Sequence, residues 1–206
     1  MYTPADFRED DLAAQHQTIR ATRLCNLVSQ TAEGLIATPL PLLFDPTEGT
    51  FGTLYGHFAR ANPHWKHAAE GEALAIFMGP DAYVSPAWYT TKAETGKVVP
   101  TWNYVAVHAY GQVEVFDDTD RLLDIVSRLS DLHEAPRPTP WAVADAPADY
   151  IAGMLKGIVG LRLQITRLEG KRKLSQNRNA ADRAGVATGL AASADPADRA
   201  VGAIIT

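Results

Sequence analysis

Aromatic and small polar side chains are concentrated between Gly79 and Gly111, in a stretch suited to binding a flat ligand. Trp88 and Trp102 lie there together with four tyrosines. Hydroxyl, amide, imidazole and lysine groups are interspersed with these rings, and aromatic walls with a few polar groups are typical of pockets for heteroaromatic molecules. An aromatic-rich β-hairpin, whose polar atoms bond only to backbone, explains the same composition. The stretch by itself leaves both interpretations open.

A second group of candidate residues lies between Gly56 and Pro63, where the sequence is GHFARANP. This pattern predicts that a strand ends here and that a short helix begins at Asn62. Backbone N–H groups at the start of a helix attract anions, and the guanidinium of Arg60 can bind a phosphate through two hydrogen bonds. The alternative is that Arg60 pairs with a surface carboxylate while His57 hydrogen-bonds locally.

Cations crowd a third segment, which reads GKRKLSQNR from Gly170 to Arg178. It follows a predicted strand and precedes an Ala-rich helical tract, so cations and amides coincide with free helix N–H groups. Six lysines and arginines between Arg167 and Arg183 stand against only two acidic residues. This surplus predicts either an anion site or a solvated basic turn with Asn177 as the helix N-cap.

Several common catalytic and metal-binding patterns are absent from the sequence. It contains no GxSxG elbow, no P-loop and no GxGxxG after a strand. The six histidines form no metal set, and His64 and His67 are predicted to be surface residues. Cys25 is the single cysteine, which excludes an internal disulfide, and its apolar strand predicts an inert core thiol.

The composition is that of a globular protein of 206 residues with a net charge of −5. The negative average charge argues against a general attraction to nucleic acid. No apolar run is long enough to cross a bilayer, and the acidic N-terminus lacks the pattern of a signal peptide. With one cysteine and no such segment, we expect a cytoplasmic location.

Alternating and helical hydrophobic patterns predict the elements that position these segments. The predicted strands are 24–29, 35–37, 50–58, 73–78, 83–85, 98–116 and 161–166, with a break at Gly79-Pro80. The predicted helices are a stretch within 1–24, a short one at 63–67, 119–133, one starting near Pro147, and the tract from Asn177 with breaks near Gly185 and Pro196. In the strand 98–116, one parity is aliphatic and the other carries Tyr and His, so one face is expected in the core. This order predicts an α+β, mainly β fold: an antiparallel barrel with helices outside it.

Five segments and the opening MYTPADF resemble the PaiB family of FMN-binding negative transcriptional regulators. The segments are GHFARANPHW (56–65), IFMGPDAYVSPAWY (76–89), VVPTWNYVAVHAYG (98–111), PWAVADAP (140–147) and LEGKRKLSQNR (168–178). The resemblance implies an antiparallel FMN-binding split β-barrel of Greek-key type with flanking helices, related in fold to pyridoxamine phosphate oxidases. It also implies one domain over residues 1–206, with a helical C-terminal extension from about 177 to 206. FMN is expected to bind noncovalently near a homodimer interface.

The resemblance also implies a set of FMN contacts, without a catalytic residue or a metal site. The first segment supplies His57, Arg60 and Asn62 near the phosphate or the ribityl chain. The next two supply Ser85, Trp88, Tyr89, Thr101 and Asn103 around the flavin ring. The residues that close the site are Lys92, Gln176, Asn177 and Arg178. At Arg172 the family more often has an aromatic residue, so the rim of the site is expected to differ.

Three functions are consistent with these features. The first is a flavin-binding regulator of transcription, and the second is a flavin-dependent oxidoreductase of the pyridoxamine phosphate oxidase type. The third is a haem-binding split barrel with His57 or His108 as the axial ligand. DNA association is expected to be weak or indirect, because no recognition helix is evident. The visible absorption spectrum separates flavin from haem, whereas the sequence leaves regulator and enzyme open.

Overall fold

The computed structural model describes residues 1–205, which form eight strands, six α-helices and four short 3-10 helices. The strands are β1 (Arg8–Glu9), β2 (Cys25–Thr31), β3 (Gly34–Leu40), β4 (Leu43–Asp45), β5 (Thr53–Ala59), β6 (Glu72–Val84), β7 (Thr101–Phe116) and β8 (Ile158–Lys173). The helices are α1 (Leu12–Ala21), α2 (Thr91–Thr95), α3 (Thr119–Glu134), α4 (Ala148–Leu155), α5 (Ala180–Ala191) and α6 (Pro196–Gly202). The 3-10 helices are Ala5–Phe7, Pro63–Lys66, Pro86–Trp88 and Val143–Asp145.

The strands form one sheet in the order β3-β2-β6-β7-β8-β5-β4, with β1 paired to β8. Neighbouring strands with a defined register are antiparallel; Cys25 lies opposite Leu40, and Tyr55 lies opposite Arg162. The β2–β3 hairpin turns at Gly34, whose φ of 121° is open to glycine without steric cost. The predicted antiparallel, mainly β architecture with flanking helices is confirmed.

The two faces of β7 differ as the alternation predicts. Val105 and Val107 are buried, whereas Tyr104, on the other parity, is half-buried. Gly111 lies on the same face of β7 as Val105 and Val107, at a point where the backbone of β8 is close. A Cβ at Gly111 would lie 2.2 Å from the carbonyl oxygen of Gln164. A side chain at this position would therefore push the two strands apart.

The chain divides into two compact units, and the strands β6, β7 and β8 run from one into the other. Unit 1 comprises residues 1–21, 78–107 and 169–206, and unit 2 comprises residues 22–77 and 108–168. The core of unit 2 is built from side chains of β2, β5, β6 and β8: Leu27, Leu54, Phe58, Phe77, Leu161, Leu163 and Ile165. Helix α3 adds a smaller apolar cluster through Ile125 and Leu129, which pack with Leu43 of β4. The assignment of the chain to a single domain stays a prediction.

The C-terminal tract of unit 1 is helical, as its composition predicts. Asn179 begins α5 by accepting a hydrogen bond from the backbone N–H of Asp182, and Asp195 begins α6 in the same way. The apolar side of these helices packs on strand ends in one cluster, formed by Ala82, Val84, Tyr89, Val105, Leu174, Val186, Leu190 and Val201. The predicted N-cap Asn177 is wrong, because Asn179 holds that position.

Two predicted breaks do not occur. Strand β6 continues through Gly79-Pro80. The pairing of β6 with β2 ends at Ile76. Because Pro80 lies beyond this pairing, β2 needs no hydrogen bond from a backbone N–H at that position, and the proline is tolerated. Helix α5 also continues through Gly185, where the absence of a side chain lets the helix pack closely against the backbone of Trp88. The predicted break near Pro196 is confirmed.

Cys25 is buried as predicted, and burial raises the pKa of its thiol to about 12. The prediction of a surface position for His64 is wrong, because this residue is fully buried. Its Nδ1 lies 2.8 Å from Oγ1 of Thr38, and its Nε2 lies 3.0 Å from Oγ of Ser29. Asn62 caps the 3-10 helix by accepting from the backbone N–H of His64, and the imidazole lies inside unit 2. Burial lowers the pKa of His64, so the ring is neutral at pH 7.

No helix within residues 1–205 is long and apolar enough to cross a membrane. No group of three or more His, Cys, Asp or Glu side chains in the same range is arranged to hold a metal ion.

Candidate functional site

The end of β8 and the turn after it bring three cations together in unit 1: Lys171, Lys173 and Arg178. We call these residues the basic site. Side chains alternate along a strand, so Lys171 and Lys173 project from one face of β8 and Arg172 from the other. On that other face, the guanidinium of Arg172 lies 3.5 Å from the carboxylate of Glu9 in β1. The alternation therefore separates two lysines without an acidic partner from an arginine that is paired with a carboxylate. Lys171 is buried, and its ammonium donates to the carbonyl oxygen of Tyr2 at 3.0 Å.

Lys173 is half-buried and has no acidic partner. Its ammonium donates to the hydroxyl of Thr101 and to the carbonyl oxygen of Trp102, both of which are neutral. Within the described chain, no carboxylate pairs with Lys173 or with Lys171. Burial, followed by the charges of Lys171 and Arg178, lowers the pKa of Lys173. Uncompensated positive charge of this kind favours the binding of an anion.

The turn after β8 contains a strained residue. Ser175 is buried and has a φ of 66°, in the left-handed region that residues other than glycine rarely adopt. Its hydroxyl lies 3.0 Å from Nδ2 and 3.2 Å from Oδ1 of the fully buried Asn103. Gln176 holds the turn by accepting from the backbone N–H of Leu174 and donating to the carbonyl of Arg172. Strained conformations that the surroundings enforce are concentrated at ligand sites.

A single carboxylate ties the segment after β6 to helix α5. Asp182 accepts hydrogen bonds from the hydroxyls of Thr90 and Thr91, at 2.9 and 2.8 Å, and from the backbone N–H of Thr91 at 3.0 Å. The bond from this N–H is the largest of the effects that lower the pKa of Asp182. At the other end of the segment, Ser85 caps the 3-10 helix that follows it. The chain between these two anchors is therefore held in place.

Two aromatic rings lie between the anchors. Trp88 packs directly on α5, because a Cβ at Gly189 would lie 2.4 Å from its indole ring. Tyr89 is 2% exposed, and its hydroxyl has no hydrogen-bond partner among residues 1–205. The guanidinium of Arg178 lies 4.7 Å from the centre of the Tyr89 ring. Leaving a buried hydroxyl unpaired costs about 1–3 kcal/mol, so Tyr89 is suited to receive a polar group of a ligand.

The residues predicted from GHFARAN lie in unit 2, where Arg60 and Asn62 make local contacts and Nδ1 of His57 has no hydrogen-bond partner among residues 1–205. Arg60 donates to Asp117 at 2.7 Å and to the carbonyl oxygens of Lys156 and Ile158, both at 2.8 Å. Asn62 caps the 3-10 helix, and its amide also donates to Thr38. The alternative reading of Arg60, pairing with a surface carboxylate, therefore describes its contacts. Contact of these residues with FMN stays a prediction.

The remaining predicted contacts lie in unit 1. Thr101 accepts a hydrogen bond from Lys173, and the charge of Arg178 contributes to the lowered pKa of Lys173. Gln176 donates to the backbone of Arg172, and Asn103 bonds Ser175 in the turn after β8. Lys92 and Asn177 are exposed, and their side chains make no hydrogen bond or ion pair to residues 1–205.

The FMN contacts predicted from the sequence do not include Lys171, Lys173 or Ser175. The spacing of the two lysines at alternate positions is the signal that could have identified them, because it places both on one face of a strand. The predicted strand ended at residue 166, whereas β8 continues to Lys173. The strain at Ser175 has no signal in the sequence, because a positive φ at serine is imposed by the surrounding structure.

Comparison with known proteins assigns the family. The family model described as "Putative FMN-binding domain" matches residues 1–167. The protease synthase and sporulation protein PAI 2 of Bacillus subtilis is 33% identical, over 88% of this chain and 85% of its own length. An uncharacterised protein of Emericella nidulans is 33% identical, over 92% of this chain and 90% of its own. The basic site draws on residues beyond the range that the family model matches, since Lys171 follows residue 167.

Solved structures with the same fold include two flavin proteins. The FAD and haem binding protein of Mycobacterium smegmatis superposes with a TM-score of 0.60 at 15% identity, over 86% of this chain and 78% of its own. The flavocytochrome Anf3 of Azotobacter vinelandii gives a TM-score of 0.58 at 16% identity, over 86% and 74%. At such identities the likeness shows the fold alone, and it confirms the predicted split β-barrel. Together with the family model and the Bacillus relative, it shows that this chain belongs to the PaiB family of FMN-binding split-barrel proteins.

Proposed function

We propose that this protein binds FMN in unit 1, with the flavin phosphate held by Lys173 and Arg178 of the basic site. The observation that carries the proposal is the half-buried ammonium of Lys173, which has only neutral partners. A phosphate carries close to two negative charges and strong acceptor oxygens, so it complements uncompensated cations. FMN, when bound, supplies electron or hydride transfer.

The other donors in unit 1 fit a flavin as well. Tyr89 offers a buried hydroxyl without a partner, and its ring belongs to the apolar cluster against which Trp88 packs. Thr101 places a hydroxyl beside Lys173, and the fully buried amide of Asn103 holds Ser175 in the turn after β8. We propose these residues, with Ser85, Lys92, Gln176 and Asn177 at the rim, as the FMN contacts. His57, Arg60 and Asn62 form an alternative set of proposed contacts in unit 2. Arg60 and Asn62 make local bonds there, whereas Nδ1 of His57 has no partner among residues 1–205.

Replacing Lys173 with methionine is expected to weaken FMN binding about tenfold or more, the cost of losing a charge-assisted hydrogen bond. Methionine keeps the length and apolar stem of the side chain, so packing is little changed. Quenching of FMN fluorescence in a titration measures the effect. Arg172→Met is the matched control, since it removes a neighbouring cation from the opposite face of β8, and it should change the affinity less than about twofold. Equal effects of the two substitutions would show that only the general charge matters.

We propose that the protein is a homodimer. Unit 1 exposes four large apolar side chains on or beside β6 and β7, at 46–64% of their surface: Met78, Tyr83, Val99 and Trp102. Tyr83 and Trp102 also contact each other edge to face, with ring centres 6.2 Å apart. An exposed cluster rich in aromatic side chains is typical of an interface between protein chains.

The dimer proposal predicts that Trp102→Glu lowers the molar mass in solution. Light scattering at micromolar concentration should report a dimer for the wild type and a larger monomer fraction for the variant, because a carboxylate is desolvated in the interface. Leu35→Glu is the control, since Leu35 is 74% exposed in unit 2 and lies outside the cluster. A monomeric wild type would overturn the proposal.

For its cellular role we propose a cytoplasmic regulator of transcription of the PaiB type that acts through a partner or through weak contact with DNA. Two of the six cations between Arg167 and Arg183 already have acidic partners, Arg167 with Glu72 and Arg172 with Glu9. Few charges remain for DNA phosphates, and the net charge is −5. Any direct association should therefore depend little on base sequence and weaken steeply with added salt.

A further inference from the structure

A cleft in unit 2 contains none of the residues of the basic site. Strand β5, helices α3 and α4 and the segment that joins these helices line two cavities of about 380 and 390 Å³. The cavities share His57, Val126, Ser130 and Trp141, and we call them together the His57 cleft. Each is within the usual size range of sites for small molecules.

The wall of the His57 cleft exposes large apolar side chains. Trp141, Tyr150 and Met154 are 46%, 58% and 53% exposed, and all three line the cavity of about 390 Å³. Scattered exposed apolar residues require no explanation, but a group that converges on one concave surface indicates a binding site. Aromatic rings and a flexible thioether are well suited to contact a flat apolar molecule.

Hydrogen bonds to Glu134, near the end of α3, hold this wall in place. One oxygen of the Glu134 carboxylate accepts from the backbone N–H of Trp141 at 3.1 Å, and the other accepts from Arg137 at 2.9 Å. Prolines at positions 136, 138 and 140 stiffen the same segment. The cleft is therefore formed before a ligand arrives, which lowers the entropic cost of binding.

The polar groups of the cleft restrict the charge of its ligand. No lysine or arginine is among the described residues that line either cavity, so an anionic ligand finds no permanent positive charge there; besides His57, the lining contains one further histidine, His133. Glu134, the one carboxylate in the lining, already accepts two hydrogen bonds. Nδ1 of His57 is buried and lacks a hydrogen-bond partner among residues 1–205. Burial lowers the pKa of His57, so the imidazole is neutral at pH 7 and can accept a hydrogen bond.

From these contacts we infer that the His57 cleft binds a small, neutral aromatic molecule that donates an N–H or O–H hydrogen bond to the imidazole of His57. The apolar wall supplies most of the contact area, and the imidazole distinguishes ligands with a donor from those without one. The inference does not rest on the proposed phosphate contacts Lys173 and Arg178, because these residues lie in unit 1 and the cleft lies in unit 2.

Indole and 1-methylindole are the probes that test this inference, because a methyl group replaces the N–H hydrogen of indole and removes the donor. Isothermal titration of the full chain should show that indole binds more tightly than 1-methylindole by about fivefold, the worth of one neutral hydrogen bond. His57→Phe should remove that preference while 1-methylindole still binds. Equal affinities of the wild type for the two probes, or no binding of either, would overturn the inference.

A substitution that fills the cleft provides a second test. Ser130 lines both cavities and is only half-buried, so Ser130→Trp should abolish binding of both probes in a folded protein. Asp131→Trp is the control, since this neighbour is exposed and lines neither cavity. The titration is repeated with saturating FMN and with Lys173→Met, and indole affinity should be unchanged in both. Displacement of indole by FMN would show that the cleft belongs to the flavin site and would contradict the inference, whereas loss of FMN binding in Lys173→Met concerns the flavin site alone.

Discussion

Replacing Gly185 with valine is expected to lower the free energy of unfolding by about 3 kcal/mol, at the upper end of the usual cost of overpacking. A Cβ at this position would lie 2.1 Å from the backbone carbonyl oxygen of Trp88. Because the obstacle is backbone rather than a flexible side chain, either α5 or the segment of Trp88 must shift. The same shift moves Tyr89, so weaker FMN binding is expected as well. Chemical denaturation and flavin titration measure the two effects.

Gly153→Ala is the matched control for this substitution. Gly153 also lies within a helix, α4, but it is exposed and no atom lies within 4 Å of a Cβ built there. Alanine is favoured over glycine inside a helix by about 0.5–1 kcal/mol, so this variant should be slightly more stable than the wild type. A Gly185→Val variant as stable as the wild type would contradict the close packing of α5 against the backbone of Trp88.

Replacing His64 with leucine is expected to cost about 3 kcal/mol of stability, since it leaves polar groups in the interior without partners. The imidazole bonds the hydroxyls of Ser29 and Thr38, and Ser29 is 3% exposed. Leucine has a similar volume, so loss of hydrogen bonds rather than a cavity dominates the effect. His67→Leu is the control; its exposed pair with Glu70 should contribute less than about 1 kcal/mol. Similar midpoints of denaturation for the two variants would contradict the buried role of His64.

The lowered pKa of His64 also predicts the direction of a pH effect. Unfolded histidine takes up a proton near pH 6.5, whereas the folded ring does so only at lower pH. The unfolded state therefore gains protons first, and stability is lost as the pH falls from about 6.5 through the lowered pKa. His57, whose pKa burial also lowers, acts in the same direction. Denaturation at pH 7 and pH 5 should show a smaller loss for His64→Leu than for the wild type.

Local patterns predicted most of the strands and helices, because alternation and helical periodicity report burial directly. The alternation in β7 identified its buried face, and the N-cap pattern at Asn62 located the following 3-10 helix. The break predicted at Gly79-Pro80 was wrong because the tolerance for proline depends on whether the neighbouring strand needs its N–H. That information lies in the register of the sheet and not in the local sequence.

Parts of the candidate site depend on contacts between residues distant in sequence. Asp182 and Thr91 are 91 positions apart, and Asn103 and Ser175 are 72 positions apart. No local pattern reports such pairs. His64 shows the same limit. A histidine in the sequence is expected to be exposed, and only the fold shows that Thr38 and Ser29 bond its imidazole. The sequence alone did identify the segments, because cations, hydroxyls and aromatic rings recur in them.

The most direct test of the proposed flavin site compares FMN with riboflavin, which differs only in lacking the phosphate. If Lys173 and Arg178 hold the phosphate, the wild type should bind FMN more tightly than riboflavin by about 100-fold or more, as expected for two charge-assisted contacts. In the double variant Lys173→Met, Arg178→Met this preference should fall to within about threefold, with riboflavin affinity nearly unchanged. A double variant that still prefers FMN as strongly as the wild type would place the phosphate elsewhere and contradict the assignment.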